Sequence, residues 1–180
     1  MRKVMFFVMS LVTAIVLSTN AMATTVAVGV ATLGVGGVSN TGVSAKVGFP
    51  VWEGDNANTS FNVVGESYSY TIFGTNISNT LIGANMEFSG GLTGADEENP
   101  NFENTLNKIM AFYINAGYSF YNANAVILGT PINTSMGAFT YGLGIQAPKD
   151  WVTYYSIGYR GVSLGQTSMG GVVADIGIRF

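Results

Sequence analysis

The chain has no histidine and no cysteine. Without an imidazole or a thiol, neither a Ser/His/Asp nor a Cys/His arrangement can be assembled. A zinc site with nitrogen or sulfur ligands is excluded for the same reason. Disulfides, which exported small domains often use to supplement a small core, are excluded as well. Stability must have another source, and a closed hydrogen-bonded barrel is one. Charge is scarce: Asp, Glu, Lys and Arg are 9% of residues, against about 25% in an ordinary soluble domain. The seven basic residues are outnumbered by ten acidic ones and form no patch, so no nucleic-acid partner is expected. After residue 23 no stretch approaches the ~20 consecutive apolar residues of a membrane helix. A chain too apolar for a soluble domain, yet lacking a spanning helix, fits a β-barrel in which apolar residues alternate with small and polar ones.

The first 23 residues read as a secretory signal peptide. Met1-Arg2-Lys3 is a positive start, Val4 to Val16 is an apolar run, and Ala21-Met22-Ala23 is a small-x-small cleavage site. The alternative, a membrane anchor, needs a longer run than this one, which ends at Ser18-Thr19-Asn20. Residues 24–180 are then one domain.

From Thr24 onward the chain alternates with period two, punctuated by turn residues. Strands are expected over Thr25 to Val35, Thr41 to Phe49, Ser60 to Phe73, Asn79 to Gly91, Lys108 to Tyr121, Thr134 to Ala147, Trp151 to Leu164 and Gly171 to Phe180. Pro50 to Asn58 breaks the pattern. Leu92 to Asn107 has no periodicity, carries Asp96, Glu97, Glu98 and Glu103, and reads as a solvated loop. It lacks the alternating ligand spacing of a calcium loop. Asn122 to Asn133 is ambiguous. Read as loop, it leaves eight strands but puts the acidic loop on the side of the termini, where short turns are usual. Reading Val126 to Thr130 as a strand and Thr25 to Val35 as a lead-in moves that loop to the other side. The first count is preferred because its strands are long enough to span.

On these registers the charges within strands share one face: Lys46, Glu66, Glu87, Arg160, Asp175 and Arg179. That face is read as a polar lumen, filled by side chains in so narrow a barrel. Charges there must pair. The arginines are expected to meet the carboxylates, with Arg160 and Arg179 close because their strands adjoin. The alternative is a soluble strand protein with a wet charged face, but no amphipathic helix is present to cover the other face. Glu66 and Glu87 form the only conceivable carboxylate pair for glycosidase-type chemistry, and packed lumen residues are the better reading. The many glycines precede no helix and form no phosphate motif. No metal and no cofactor is expected. Phe49, Phe73, Trp151, Tyr155, Tyr159 and Phe180 lie near strand ends, as in the aromatic girdles of barrels or simply as strand-favouring residues.

The last strand puts Val172, Ala174, Ile176, Ile178 and Phe180 on one face and Val173, Asp175, Gly177 and Arg179 on the other. This ending resembles the C-terminal targeting strand of Gram-negative outer-membrane proteins. With Tyr141-Gly-Leu-Gly-Ile145 and Ile157-Gly-Tyr-Arg160, the whole of 24–180 resembles the small eight-stranded outer-membrane barrels, often labelled OmpX-, Opa- or OmpA-barrel-like or porin-family proteins. The resemblance implies an all-β, antiparallel up-and-down transmembrane barrel in the outer membrane, in contact with its lipid. It implies a terminal signal, Val172 to Phe180, read by the barrel-assembly machinery after periplasmic chaperones. It also implies a structural or surface-interaction role, with exposed loops meeting a surface ligand. Enzymatic families of outer-membrane barrels rely on a histidine that this chain lacks, so their activity does not carry over. A narrow pore for small solutes is the second reading, and a secreted soluble β-protein or fibril subunit the third.

Overall fold

A computed structural model describes residues 24–35, 38–55, 57–72, 75–91, 109–127 and 130–180. The signal peptide read over 1–23, Phe73 and the acidic segment 92–107 lie outside the described residues. Eight strands follow one another: β1 (Thr25–Val35), β2 (Val38–Glu53), β3 (Ala57–Ile72), β4 (Thr75–Gly90), β5 (Ala111–Ile127), β6 (Thr130–Gln146), β7 (Thr153–Leu164) and β8 (Thr167–Arg179). Each pairs antiparallel with the next, and β8 returns to β1 to close the barrel. Among the described residues no helix is long and apolar enough to cross a membrane.

Closure runs from Thr25↔Arg179 to Gly34↔Gly170. Midway the ladder is completed by a side chain: Val172 N donates to Thr32 Oγ1 at 2.7 Å. Gly171 sits at this point because a Cβ there would run into the Thr32 carbonyl oxygen. The last backbone contact is Phe180 N to Thr24 O at 3.1 Å.

Alternation sorts the side chains. Outward apolar residues form a belt around the cylinder, with Ile114 62%, Leu143 59% and Ile176 62% exposed. From Phe112 to Phe120 on β5 this belt covers about 20 Å of height at the usual rise and tilt, close to the ~25 Å apolar band of membrane barrels. Trp52, Trp151 and Phe180 are exposed at the terminal end of the belt.

Three expectations are corrected. Asn122 to Asn133 is not a loop; it is the upper part of the β5–β6 hairpin, in unbroken register from Ala111↔Gln146 to Ile127↔Thr130. The preferred eight-strand count holds: β1 is a full strand paired on both sides, so the lead-in alternative is ruled out. The strand does not stop at Pro50 either. A bulge between Pro50 and Trp52 absorbs the missing donor, and β2 runs on to Glu53. Gly165, at φ 70°, makes the β7–β8 turn, and β8 starts at Thr167. The far end of the barrel therefore carries long strands, while β4 ends and β5 begins at the terminal end. The extra length is spent in strand, where cross-strand bonds satisfy the backbone, rather than in loops.

Candidate functional site

The inward residues are layered along the axis. Uppermost is an apolar plug: Ala31, Leu33, Leu81, Tyr121, Ala138, Val162 and Met169 pack together with Tyr68. Each is on the inward parity of its strand, so the upper lumen is a conventional hydrophobic core held by the sheet.

Below the plug lies a first ion pair. The Arg160 guanidinium on β7 meets the Glu66 carboxylate on β3 across the lumen. The Tyr68 hydroxyl donates to Glu66 Oε2 at 2.7 Å and accepts from Arg160. A second pair lies nearer the termini. Lys46 Nζ on β2 is 2.8 Å from Glu87 Oε2 on β4, and also donates to the Tyr154 hydroxyl at 2.6 Å. Tyr154 donates onward to Gln146 Oε1 at 3.1 Å, and Lys46 Nζ sits 4.9 Å from the Tyr154 ring centroid. Buried charges are tolerable only when satisfied in this way.

Asp175 is engaged differently. Its Oδ1 accepts from the Ser44 hydroxyl, and its Oδ2 accepts from Ser156 Oγ at 3.3 Å. Arg179 donates to Pro148 O at 2.6 Å and to Thr25 Oγ1 at 3.4 Å, with its guanidinium 5.5 Å from the Tyr154 ring. The expected closeness of Arg160 and Arg179 is not found. Arg160 is level with Gly171, while Arg179 N bonds to Val152 O. Eight residues along a strand is about 26 Å. Glu66 and Glu87 are bound separately, each by its own cation, and do not form a catalytic pair.

Tyr68, Tyr113 and Tyr154 are buried lumen residues; the Tyr68 and Tyr154 phenols bond within the two pairs, and the Tyr113 ring centroid lies 5.9 Å from Lys46 Nζ. Tyr154 was not separable from the outward aromatics by composition. Its parity, shared with Ser156 and Arg160, is the signal that identifies it.

Two small cavities flank the lower pair. One of about 50 Å³ is lined by Ser44, Asn85, Asn115, Thr140, Arg160 and Asp175, with Leu81 and Val173 as its ceiling. The other, about 30 Å³, opens among Thr25, Glu53, Lys149, Tyr154 and Arg179. Lys46 and Glu87 line both and form the partition between them. Each volume suits a few water molecules.

Above the belt, β3 to β6 rise beyond their neighbours. β6 pairs with β5 up to Thr130 but with β7 only from Phe139 to Gln146. Thr130–Ala138 therefore has no strand on that side, and Thr130 to Gly137 are all exposed. On the opposite edge, β3 pairs with β2 only as far as Tyr68. The outward face of this raised sheet carries Ser67, Thr80, Asn122 and Ser135 in one row and Ser69, Ser78, Asn124 and Asn133 in the next. No Asp, Glu, Lys or Arg occurs in 28–45, 67–86, 111–146 or 161–174. The raised end is thus uncharged, and among the described residues the charges outside the lumen, Glu53, Asp55, Lys149 and Asp150, gather at the terminal end.

The fold has solved counterparts. Ail, the attachment invasion locus protein of Yersinia pestis, crystallised with the heparin analogue sucrose octasulfate, is similar at 13% identity and TM-score 0.60, over 88% of this chain and 98% of that one. Neisserial surface protein A is similar at 17% identity and TM-score 0.58, over 88% and 96%. The N-terminal β-barrel domain of Pseudomonas aeruginosa OprF is similar at 12% identity and TM-score 0.55, over 87% and 97%. These likenesses establish the eight-stranded barrel fold that outer-membrane proteins use. No family model and no curated protein matches the sequence.

Proposed function

We propose that the chain is an integral protein of the Gram-negative outer membrane, of the small-barrel group to which Ail and Neisserial surface protein A are similar. Its role is structural and surface-interacting, without catalysis. The observation that carries this reading is the raised β3–β6 sheet. An unpaired strand edge nine residues long, Thr130–Ala138, stands beyond the apolar belt and offers backbone groups to an extended segment of a partner. The same edge would be an aggregation hazard in a soluble chain. Export through the 1–23 signal peptide, escort by periplasmic chaperones and insertion by the assembly machinery complete the reading. Val172, Ala174, Ile176, Ile178 and Phe180 serve as the terminal assembly signal.

The partner differs in chemistry from the polysulfated sugar bound to Ail. The raised end has no lysine or arginine to meet a polyanion, so binding there rests on main-chain bonds and neutral side chains and depends little on salt. Conduction is disfavoured, because the apolar plug gives an ion no ligands. Fractionation, heat-modifiable migration on detergent gels and planar-bilayer recording test the proposal together. The expected results are recovery in the outer membrane, a folded band shifted by boiling, and no single-channel currents. Recovery in the soluble periplasm would overturn the membrane reading, and discrete currents would overturn the plug.

A further inference from the structure

The free edge of β6 is matched to itself. Among the described residues no strand flanks Thr130–Ala138 on the β7 side, and Thr130 to Gly137 are exposed. Just beyond the other end of β6, Ala147 N donates to Tyr155 O at 2.8 Å, in step with the pairing from Phe139↔Ser163 to Gln146↔Ser156. Main-chain groups of successive residues turn to alternate sides of a strand, so Pro131, Asn133, Ser135 and Gly137 turn theirs to the open side. Pro131 has no N–H, and its missing donor falls where an edge tolerates it.

Side chains alternate as well. Ile132, Thr134 and Met136 share the inward parity of buried Thr140, while Pro131, Asn133, Ser135 and Gly137 face outward. The pattern reads alike in both directions from Thr134. Turned through 180° about an axis normal to the sheet at Thr134, a second β6 lies antiparallel to the first. Ile132 then stands opposite the second copy's Met136, and Asn133 opposite the second copy's Ser135. Apolar meets apolar on one face, and amide meets hydroxyl on the other. Asn133 and the second copy's Ser135 exchange two main-chain bonds, as do Ser135 and the second copy's Asn133. The Gly137 N–H of each copy reaches the Pro131 carbonyl of the other. Edges that avoid their own kind are usually blunted by charge. Residues 111–146 hold no Asp, Glu, Lys or Arg, so like-charge repulsion does not oppose the meeting.

We infer that the free β6 edge binds the same edge of a second copy of this chain, antiparallel, about a two-fold axis at Thr134. This pairing rests on the membrane reading proposed above, which also fixes its geometry. Copies in one bilayer stand the same way up, so their β6 strands cannot run antiparallel. The second copy therefore stands in a facing membrane, and the contact is homotypic adhesion between two surfaces. The ladder is short, so each contact is weak and many copies act together.

The chain has no cysteine, so one introduced thiol is unique. Across the axis the two Thr134 residues form a non-hydrogen-bonded pair with Cα atoms about 4.5 Å apart, within disulfide reach. The test uses the full-length barrel reconstituted in phosphatidylcholine vesicles and oxidised. Thr134→Cys should yield a disulfide dimer, and Asn124→Cys, exposed on β5 away from the edge, should not. Asn133→Cys and Ser135→Cys, placed in separate vesicles and mixed, should cross-link to each other. Wild-type vesicles should cluster equally at low and high salt. Ile132→Lys with Ser135→Lys should remove the clustering and keep the heat-shifted folded band. If that variant does not fold, the cysteine variants decide. With the folded band present, no more dimer from Thr134→Cys than from Asn124→Cys would overturn the pairing alone, and an added extended peptide held at the edge would then assign it to a foreign segment. Loss of the folded band in the wild type would instead overturn the membrane reading beneath it. Cross-linking of Asn133→Cys to Ser135→Cys only when both share one vesicle would overturn the facing arrangement.

Discussion

Removing the Glu87 carboxylate while leaving Lys46 in place should be among the most damaging single changes in the barrel. The pair is 2.8 Å apart, with side chains 10% and 5% exposed. At that separation the Coulomb attraction is about 6 kcal/mol at an effective dielectric constant of about 20, and desolvation offsets part of it. Glu87→Gln leaves the ammonium with the Tyr154 hydroxyl at 2.6 Å and no counter-charge. The expected loss is about 3–5 kcal/mol, the usual result of orphaning a buried ion. The paired replacement Lys46→Met with Glu87→Gln removes both charges at similar volume and should recover most of that loss, and Lys46→Met alone completes the cycle. Urea unfolding followed by the fluorescence of the two tryptophans, Trp52 and Trp151, measures all four corners of the cycle. The coupling energy should exceed about 2 kcal/mol, within the range found for contacting residues. A single-variant loss below about 1 kcal/mol, or a double variant no better than Glu87→Gln, would refute the view that these charges compensate each other in a shielded lumen.

Leu143→Arg places a cation on the outward belt and should cost about 2–4 kcal/mol in a bilayer, whereas Asn133→Arg on the raised sheet should be nearly neutral; equal costs would mean that the belt does not meet lipid. Deleting Phe180 should reduce assembled barrel in cells far more than substituting Phe102, read by heat-modifiable gel bands, and equal yields would remove the assembly role from the last residue. Gly171→Val forces a side chain against the Thr32 carbonyl and should leave the barrel unclosed, seen as loss of the fast-migrating folded band. Paired charges on the free β6 edge, Ile132→Lys with Ser135→Lys, should leave that band intact while abolishing capture of an extended partner.

Where a face is buried on one side and greasy on the other, period two was legible in residues alone. The eight-strand count and the inward placement of Lys46, Glu87 and Arg160 rest on that alternation. It fails at Asn122 to Asn133 because from Thr130 to Asn133 both faces of the raised hairpin are exposed, so neither side is selected for apolarity there and the pattern fades while the pairing continues. Pro50 looked like a terminator because a lone proline removes a ladder donor, and only the bulge reveals how β2 passes it. That an arginine meets a carboxylate was legible for Arg160, but which carboxylate each cation takes, and that Arg179 takes none, was not. Lys46 reaches Glu87 two strands away and Arg160 reaches Glu66 across the cylinder, and such meetings depend on tilt and stagger, which local spacing does not encode.

The distribution of ions along the cylinder bears on how it enters oil. For a chain that arrives from the side where its ends remain, the four hairpin tips must make the crossing. Those segments, within 28–45, 67–86, 111–146 and 161–174, bring no Asp, Glu, Lys or Arg with them, while Lys149-Asp150 stays behind. On the membrane reading proposed above, passage in that direction would drag no counter-ions through hydrocarbon, and retreat would be opposed by hydroxyls and amides that had found water on the far shore. Such a molecule carries its own one-way ticket, written as a gradient of polarity from tail to tip.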